Sequence, residues 1–238
     1  MPMSKDHPDG GELETWTFRP IGHVRTSHVR RYDAPRQPNR DMYRVSAIVE
    51  LRANENFEQA VQDLAGCERI WLVTVFDRVE HWKPLVLPPR GRRKRGVLAT
   101  RSPHRPNPIG LTCVRLLRVE GRMLHIEDTD LLDGTPVLDV KPYLAYADAF
   151  PESKIAWVDD HPEPNHRIIW DCGEASIPPD ERLYVERTLS ADPLPHPYRR
   201  IRCVGPDHYV LSLRHARFRY RIDGDTVVIL GYTVDLPE

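Results

Sequence analysis

Residues 99–111 read Ala99-Thr100-Arg101-Ser102-Pro103-His104-Arg105-Pro106-Asn107-Pro108-Ile109-Gly110-Leu111, and the rest of the chain is organised around them. The prolines of this stretch lack a backbone N–H, which excludes a helix and a central strand. Strand-like residues flank it at 96–100 and 111–119. A proline-stiffened loop between two core strands has little entropy left to lose on binding. Two interpretations stay open, a rigid surface turn and a binding loop, and the density of hydrogen-bond donors favours the binding loop.

Basic residues crowd the segment that leads into this loop. Residues 90–105 contain no Asp or Glu, although the formal net charge of the whole chain is -1. A charge run is ordinarily a solvated face, but a run that adjoins a stiff loop favours a polyphosphate partner such as nucleic acid. The cations of this basic run are Arg90, Arg92, Arg93, Lys94, Arg95, Arg101 and Arg105.

The composition predicts a globular protein, since 29% of the 238 residues are charged and the mean hydropathy is -0.53. No apolar run reaches the length of about 20 residues that a membrane helix needs. The first residues lack the apolar segment of a secretory signal, and the four cysteines form no CxxC pair. The histidine spacings match no ligand pattern. We therefore expect a cytoplasmic protein without a metal site.

Short strand patterns dominate the first 150 residues. Residues 44–51 alternate in polarity, which predicts a half-buried strand, and 70–76 form a continuous apolar run typical of a strand buried on both sides. The best helix pattern is 56–65, where Asn54 or Asn56 can cap the start and Gly66 the end. Many short strands without alternating βαβ units predict a mainly β fold, a small closed antiparallel β-barrel that is not a Rossmann fold.

A small α+β C-terminal domain is expected to follow the barrel. A helix is predicted at 180–189, and strands at 209–213, 216–222 and 226–231. Along the middle strand, Ala216, Phe218, Tyr220 and Ile222 share one face, and His215, Arg217, Arg219 and Arg221 share the other. One face should therefore pack while the other forms a basic stripe. The predicted domains are a disordered N-terminus (1–14), the barrel (15–149), a linker (150–170) and the C-terminal domain (171–238).

Several familiar catalytic signatures are missing. No GxGxxG follows a strand, there is no P-loop, and neither a GxSxG elbow nor an HExxH pair occurs. A dinucleotide, a nucleoside triphosphate and a serine-hydrolase mechanism are thus not indicated.

Three blocks of sequence resemble the TsaA-like family, whose characterised members are the TrmO-type tRNA methyltransferases. The blocks are Pro35-Arg36-Gln37, the stretch from Val97 to Gly110, and Asp130-Leu131-Leu132-Asp133-Gly134-Thr135-Pro136-Val137-Leu138-Asp139-Val140-Lys141-Pro142-Tyr143. They occur in the family's order and spacing, and the resemblance covers about 18–148. It implies a β-barrel that binds S-adenosylmethionine, acts as a homodimer with the cofactor near the subunit interface, and methylates N6 of N6-threonylcarbamoyladenosine beside the anticodon of tRNA.

The resemblance also implies which residues form the site. Several members have His-Gln where this chain has Asp77-Arg78, so position 77 departs from the family pattern. The implied cofactor contacts are Pro35, Arg36, Gln37, Asp77, Arg78, Arg101, Leu111, Asp130, Leu131, Leu132 and Asp133.

The chemistry of the cofactor agrees with these residue types. Carboxylates such as Asp130 suit its ammonium group or its ribose diol, and an arginine such as Arg101 suits its carboxylate. Because the carbamoylated N6 is a poor nucleophile, proton removal should help, and Asp133 and Asp139 are the candidate acceptors, with turn capping as the alternative role of each. The expected tRNA contacts are Arg92, Arg93, Lys94, Arg95, Arg105, Asn107, Lys141 and Tyr143.

Two other functions stay open from the sequence. A non-catalytic RNA-binding β-barrel would explain the basic run, although it gains nothing from acids beside its nucleic-acid site. A methyltransferase that acts on a small molecule would leave the arginines a structural role.

Overall fold

The computed structural model describes residues 15–29, 46–88, 93–159, 165–173, 177–195, 200–213 and 216–234. Pro35, Arg36, Gln37 and Arg92 lie outside these residues, so their predicted contacts with the cofactor and tRNA stay predictions.

A closed antiparallel barrel forms the first half of the chain, in the order β1-β2-β7-β6-β3-β8. This arrangement confirms the predicted fold class. A short β4–β5 ribbon stands beside the barrel. The strands are β1 (Gly22–Arg25), β2 (Ala47–Leu51), β3 (Arg69–Val75), β4 (Leu85–Val86), β5 (Arg95–Gly96), β6 (Ile109–Glu120), β7 (Met123–Glu127) and β8 (Pro136–Pro142).

Alternating side chains fill the barrel. Ala47, Val49 and Leu51 of β2 point inward and are buried, as the alternation predicts. Strand β3 corrects the prediction for 70–76: Ile70, Leu72 and Thr74 are buried, while the residues between them face outward and are half-buried. A closed barrel has one inner face, so an apolar run there need not be buried on both sides.

The helix predicted at 56–65 is interrupted. Helix α1 (Phe57–Ala60) ends after one turn, and a separate 3-10 turn (Leu64–Gly66) follows. Asp63, between them, has φ of 65°, which lies in the left-handed region and cannot continue a helix. Asn56 precedes α1 but makes no side-chain cap bond. Phe57 and Leu64 still pack on the barrel core, so the apolar stripe is correct although the helix is short.

A second sheet, in the order β10-β11-β12-β13-β9, forms most of the rest of the chain. Val185 and Leu189 of helix α4 and the inward residues of the sheet make its own core. The helices are α2 (Ala145–Asp148), α3 (Ala156–Asp159) and α4 (Pro179–Ala191). The strands are β9 (Arg167–Trp170), β10 (Ile201–Gly205), β11 (His208–Leu213), β12 (Ala216–Asp223) and β13 (Thr226–Val234).

The stretch interpreted as a linker, 150–170, contains one regular element in each of its two described ranges, 150–159 and 165–170. Its last residues form β9, which pairs in parallel with β13, and helix α3 lies earlier in the same stretch. Strand β10 is a further element that the sequence pattern did not indicate. The longest helix in the described part of the chain has 13 residues, which is too short to span a bilayer.

Candidate functional site

The connections that carry the predicted site meet at one end of the barrel. Strands β1, β3 and β7 end there, while β6 and β8 begin there, because neighbouring strands run antiparallel. The connections that follow or precede these ends span 26–29, 76–78, 97–108 and 128–135. The barrel therefore gathers four sequence-distant segments at a single mouth.

The loop that carries Arg101 is fixed by hydrogen bonds to its own backbone. Its upstream flank is a 3-10 turn (Val97–Ala99), not the strand that the sequence predicts for 96–100. The hydroxyl of Thr100 donates to the carbonyl oxygen of Val97 at 2.9 Å. Nη1 of Arg105 donates to the carbonyl oxygen of Thr100 at 2.7 Å and to that of Val97 at 3.3 Å. Arg105 thus holds the backbone immediately before Arg101.

Trp157 holds the same loop from outside. Its indole Nε1 donates to the carbonyl oxygen of Ala99 at 3.1 Å. The guanidinium of Arg95 lies over the indole ring, 5.6 Å from its centroid, in a cation–π contact. Helix α3 therefore contacts the loop that precedes β6. Arg95, one cation of the basic run, already interacts with a side chain of the protein itself. Sequence pattern alone gave no sign of this contact, because the two partners are far apart in the chain.

Asp130 is the most unusual titratable group at this end of the barrel. It is half-buried, and its Oδ1 accepts a hydrogen bond at 3.0 Å from the hydroxyl of Thr112 on β6. Burial raises the pKa of Asp130 to about 6, against the opposing effects of the Thr112 hydrogen bond and the positive charge of Arg101. The structure thus brings Arg101 and Asp130 together, and adds Thr112 as a residue that sequence analysis did not single out.

Asp133 has structural partners. Its backbone N–H donates to the carbonyl oxygen of His28 at 2.8 Å, and its Oδ1 accepts from the N–H of Thr26 at 3.0 Å. Arg78 donates to the carbonyl oxygens of Asp133 at 2.7 Å and Val29 at 3.0 Å. The capping role that the sequence left open for Asp133 is therefore present, and Arg78 joins two of the mouth connections.

The remaining predicted cofactor contacts differ in which of their atoms are accessible to a ligand. The side chain of Leu131 is buried in the barrel core, and the carbonyl oxygen of Leu132 accepts from the hydroxyl of Thr135 at 2.7 Å. Asp77 is exposed, directly after β3. Leu111 points outward from β6 with 60% of its surface exposed. Only backbone atoms of Leu131 are thus available to a ligand.

A close approach of two strands supports the mouth. Gly110 lies opposite Thr74 in the β3–β6 pair. A Cβ at position 110 would lie 2.5 Å from Oγ1 of Thr74, so only glycine fits there without displacement. Oγ1 of Thr74 is buried and has no hydrogen-bond partner among the described residues.

Asp139, Lys141 and Tyr143 lie away from this mouth. Lys141 pairs with the carboxylate of Asp139 at 2.8 Å on the outer surface of β8, opposite Trp71 and Val73 of β3. The backbone of Tyr143 bonds to Arg69, at the start of β3 and hence at the opposite end of the barrel. The structure does not bring these predicted residues together with Arg101.

Two further cations of the basic run that the structure describes are exposed, and so is Asn107 of the adjoining loop. Arg93, Lys94 and Asn107 are open to solvent, which leaves them free to contact a large partner. A surface cavity of about 450 Å³ lies beside Arg105 and Pro106, with Trp82 on its wall. Among the described residues, no group of three or more His, Cys, Asp or Glu side chains is placed to hold a metal ion.

The fold and the site define a class: a β-barrel protein in which several predicted cofactor-binding residues gather at one barrel mouth. The part of the chain that the structure describes contains no parallel-sheet nucleotide fold. The family model of the tRNA-methyltransferase O N-terminal domain matches residues 23–149, more than half of the chain. The chain belongs to this family, which confirms the resemblance seen in its sequence.

Known relatives extend the match beyond the barrel. A tRNA (adenine(37)-N6)-methyltransferase of Eikenella corrodens is 46% identical over 135 residues, 53% of this chain and 76% of that protein. A provisionally named S-adenosylmethionine-dependent methyltransferase of Pseudomonas aeruginosa is 36% identical over 196 residues, 76% of this chain and 83% of that protein. A crystal structure of TrmO from Pseudomonas aeruginosa has a TM-score of 0.62 at 29% identity and covers 93% of this chain and 100% of that chain.

Proposed function

We propose that this protein transfers a methyl group from S-adenosylmethionine to N6 of N6-threonylcarbamoyladenosine at position 37 of tRNA, in the cytoplasm. Family membership and the names of the relatives support a methyltransferase acting on tRNA adenine 37. The threonylcarbamoyl substituent is the finer part of the proposal, and it rests on the sequence resemblance. The observation that carries the proposal is the meeting of two segments at the barrel mouth: the loop of Arg101, which Arg105 holds through the carbonyl oxygen of Thr100, and the turn of Asp130, whose Oδ1 accepts from Thr112.

The residues at the mouth fit the amino-acid end of the cofactor. Its carboxylate needs a cation with several donors, and the exposed guanidinium of Arg101 on a fixed loop supplies one. Its ammonium needs an acceptor, and the carboxylate of Asp130 is half-buried with Oδ1 already oriented by Thr112. Fixed opposite charges in a partly desolvated site bind a zwitterion without reorganising. Arg36 and Gln37 are proposed to complete the site.

Methyl transfer depends mainly on positioning. When bound, S-adenosylmethionine supplies an activated methyl group: its sulfur–methyl bond breaks, the N6–methyl bond forms, and S-adenosylhomocysteine is released. The N6 proton leaves to a carboxylate, for which we propose Asp133, because Thr26 and Arg78 fix the turn that bears it. Asp139 is the rival acceptor, and its ion pair with Lys141 on the outer surface makes it less suitable. Asp133→Asn and Asp139→Asn separate the two through their effects on kcat.

The tRNA is proposed to bind across the exposed part of the basic run. Arg93, Lys94 and Asn107 lie in or beside the loops of the barrel mouth, and phosphate contacts there would set the orientation of the anticodon loop. Replacing Arg93 and Lys94 by Glu should weaken tRNA binding while the affinity for S-adenosylmethionine stays unchanged. Loss of both together would contradict this assignment.

A homodimer with the cofactor near the interface is also proposed. Ile109 and Leu111 point outward from β6 beside the mouth, with 44% and 60% of their surfaces exposed. Their neighbours Val73 and Val75 on β3 extend the same apolar outer face. Burying it against a second copy would stabilise both barrels and bring the two mouths close together.

The test of the function is a methylation assay on purified components. Unmethylated tRNA that carries N6-threonylcarbamoyladenosine is incubated with the protein and S-adenosylmethionine, and its nucleosides are analysed by mass spectrometry. The proposal predicts the N6-methylated nucleoside, and tRNA with unmodified adenine 37 serves as the control. Binding of tRNA without methyl transfer would favour the non-catalytic alternative. Cofactor binding without any tRNA binding would favour a small-molecule substrate.

A further inference from the structure

We infer that the outer face of the second sheet is a second tRNA surface, which binds the phosphate backbone outside the anticodon loop. This inference rests on the proposed function, since it names a further contact with the same substrate. We call this surface the arginine face and define it by Arg202, Arg219 and Arg221, with Arg217 beside them.

Strand pairing places these arginines on one side of the sheet. Arg219 of β12 lies opposite Val210 of β11, and Val210 lies opposite Arg202 of β10. Arg219 and Arg221 are two residues apart on β12, so their side chains leave the same face. The intervening Phe218 and Tyr220 are fully buried on the other face, which faces the core of the second sheet and α4.

The neighbouring strand leaves room for one of these arginines to lie across it. Arg219 lies opposite Gly231 on β13, and a Cβ at position 231 would lie only 3.2 Å from Nη2 of Arg219. The absence of a side chain at 231 therefore lets the guanidinium lie across the neighbouring strand. A planar guanidinium that lies along the sheet presents its donors to a phosphate oxygen in a geometry suited to bidentate contact.

Arginines outnumber acids on the described part of this face. Among the residues that the structure describes, Arg202, Arg219 and Arg221 form no ion pair, although most arginines on the outside of the barrel do. Asp223, the last residue of β12, lies on the same face two residues beyond Arg221, while Asp207 and Asp225 lie in the turns. An exposed sheet face with unpaired arginines favours a polyanionic occupant over a solvated surface.

The spacing of the arginine face fits a nucleic-acid backbone. Side chains two residues apart on a strand are separated by about 6.8 Å, and side chains two strands apart by about 9.6 Å. These separations let neighbouring guanidiniums engage successive phosphates of one strand. Contacts of this kind add affinity and salt dependence but no sequence information.

The experiment measures tRNA binding by the full chain over a series of salt concentrations. The variant is Arg219→Ala with Arg221→Ala, and the matched control is Arg52→Ala with Arg118→Ala, two exposed arginines that pair with acids on the barrel. We expect the first variant to lose about tenfold in affinity at low salt, and its slope of log Kd against log salt to fall by about 1.5. The control should match the wild type. Arg219→Lys with Arg221→Lys should keep most of the affinity, and calorimetry with S-adenosylmethionine verifies that each variant is folded.

An unchanged tRNA affinity and salt slope in the alanine variant would overturn the inference, as would an equal loss in the control. Weakened binding to phosphatidylserine vesicles together with unchanged tRNA binding would overturn it in favour of a membrane surface. A wild type that binds tRNA through these arginines but transfers no methyl group would overturn the proposed function alone.

Discussion

Arg78 donates a 2.7 Å hydrogen bond from Nη2 to the carbonyl oxygen of Asp133, and its Nη1 donates to the carbonyl oxygen of Val29. One side chain thus ties the end of β3 to the connection after β1 and to the turn before β8. The turn that it ties contains both Asp130 and Asp133. Arg78 was expected to contact the cofactor, and its observed contacts make it a residue that positions the site.

Arg78→Ala should loosen two connections of the barrel mouth together. Both hydrogen bonds involve a charged donor in a solvent-exposed place, so we expect a loss of unfolding free energy on the order of 1 kcal/mol. Hydrogen exchange should accelerate at the amides of Thr26, Asp133 and Gly134. Arg118→Ala, which removes an exposed arginine from the barrel wall, should leave these amides unchanged. Equal exchange in Arg78→Ala and the wild type would refute the positioning role.

Asp130 should make stability depend on pH. Because its folded pKa of about 6 lies above the ordinary value of 3.8, the folded state binds the proton more tightly than the unfolded state. Its favourable contribution is therefore complete below pH 3.8 and is lost as the pH rises through about 6, by on the order of 3 kcal/mol. Asp130→Asn should lack this loss, so its stability relative to the wild type should increase from about pH 4 to 7. Urea unfolding at a series of pH values measures the difference, and parallel curves would contradict the assigned pKa.

The same titration should control cofactor binding. Only the ionised carboxylate attracts an ammonium, so the affinity for S-adenosylmethionine should rise with pH through about 6 and then level off. Asp130→Asn should bind more weakly and show no such rise. Calorimetry across this pH range tests the prediction, with Asp207→Asn, which changes an exposed aspartate in a turn of the second sheet, as the control. A rise that persists in Asp130→Asn would assign the titration to another group.

Trp157 should matter for the cofactor although it lies outside the barrel. Trp157→Phe keeps an aromatic ring over which Arg95 can lie but removes the Nε1–H that holds Ala99. Since Ala99 lies two residues before Arg101, we expect the affinity for S-adenosylmethionine to fall several-fold. The matched control is Trp16→Phe, which changes an exposed tryptophan outside the described strands. The same affinity in both variants would show that the loop holds its shape without the indole.

Leu111→Glu should disrupt the proposed dimer. A charge at the centre of an apolar contact stays solvated in the monomer and opposes burial. Light scattering after size exclusion should show a dimer for the wild type and a monomer for the variant. Val204→Glu places the same charge at an exposed position on the second sheet and should stay dimeric. A wild type that is monomeric at all concentrations would contradict the proposal.

Much of the fold is predictable because the strands alternate. Period-two alternation correctly predicts that Ala47, Val49 and Leu51 are buried. It also predicts that Phe218 faces the core while Arg219 is exposed. The prediction of a continuous helix over 56–65 was wrong because hydrophobic periodicity cannot show that Asp63 adopts a left-handed backbone conformation. Strand β10 was missed because Val204 and its neighbours on this edge strand are exposed, which blurs their alternation.

The site was only partly predictable, for a different reason. The motifs predict Arg101 and Asp130 as site residues, and the structure places both at the barrel mouth. The sequence did not indicate Thr112 or Trp157, because their partners come from segments distant in the chain. It also could not show that the side chain of Arg105 donates a hydrogen bond to the backbone of its own loop. Nor could it show that Lys141 and Tyr143 lie along β8, away from the mouth. The motifs therefore predict which residue types form the site, while the closure of the barrel determines which of those residues lie close together.

The most direct test of the central claim is calorimetric titration of S-adenosylmethionine into the wild type, Arg101→Ala and Arg118→Ala. Loss of a charge-assisted contact to a carboxylate is worth about 1.5–3 kcal/mol, so Arg101→Ala should bind at least tenfold more weakly. The wild type and Arg118→Ala should bind equally well. A wild type that gives no binding heat at several temperatures, or an Arg101→Ala variant that binds as tightly as the wild type, would contradict the account of this barrel mouth as a cofactor site.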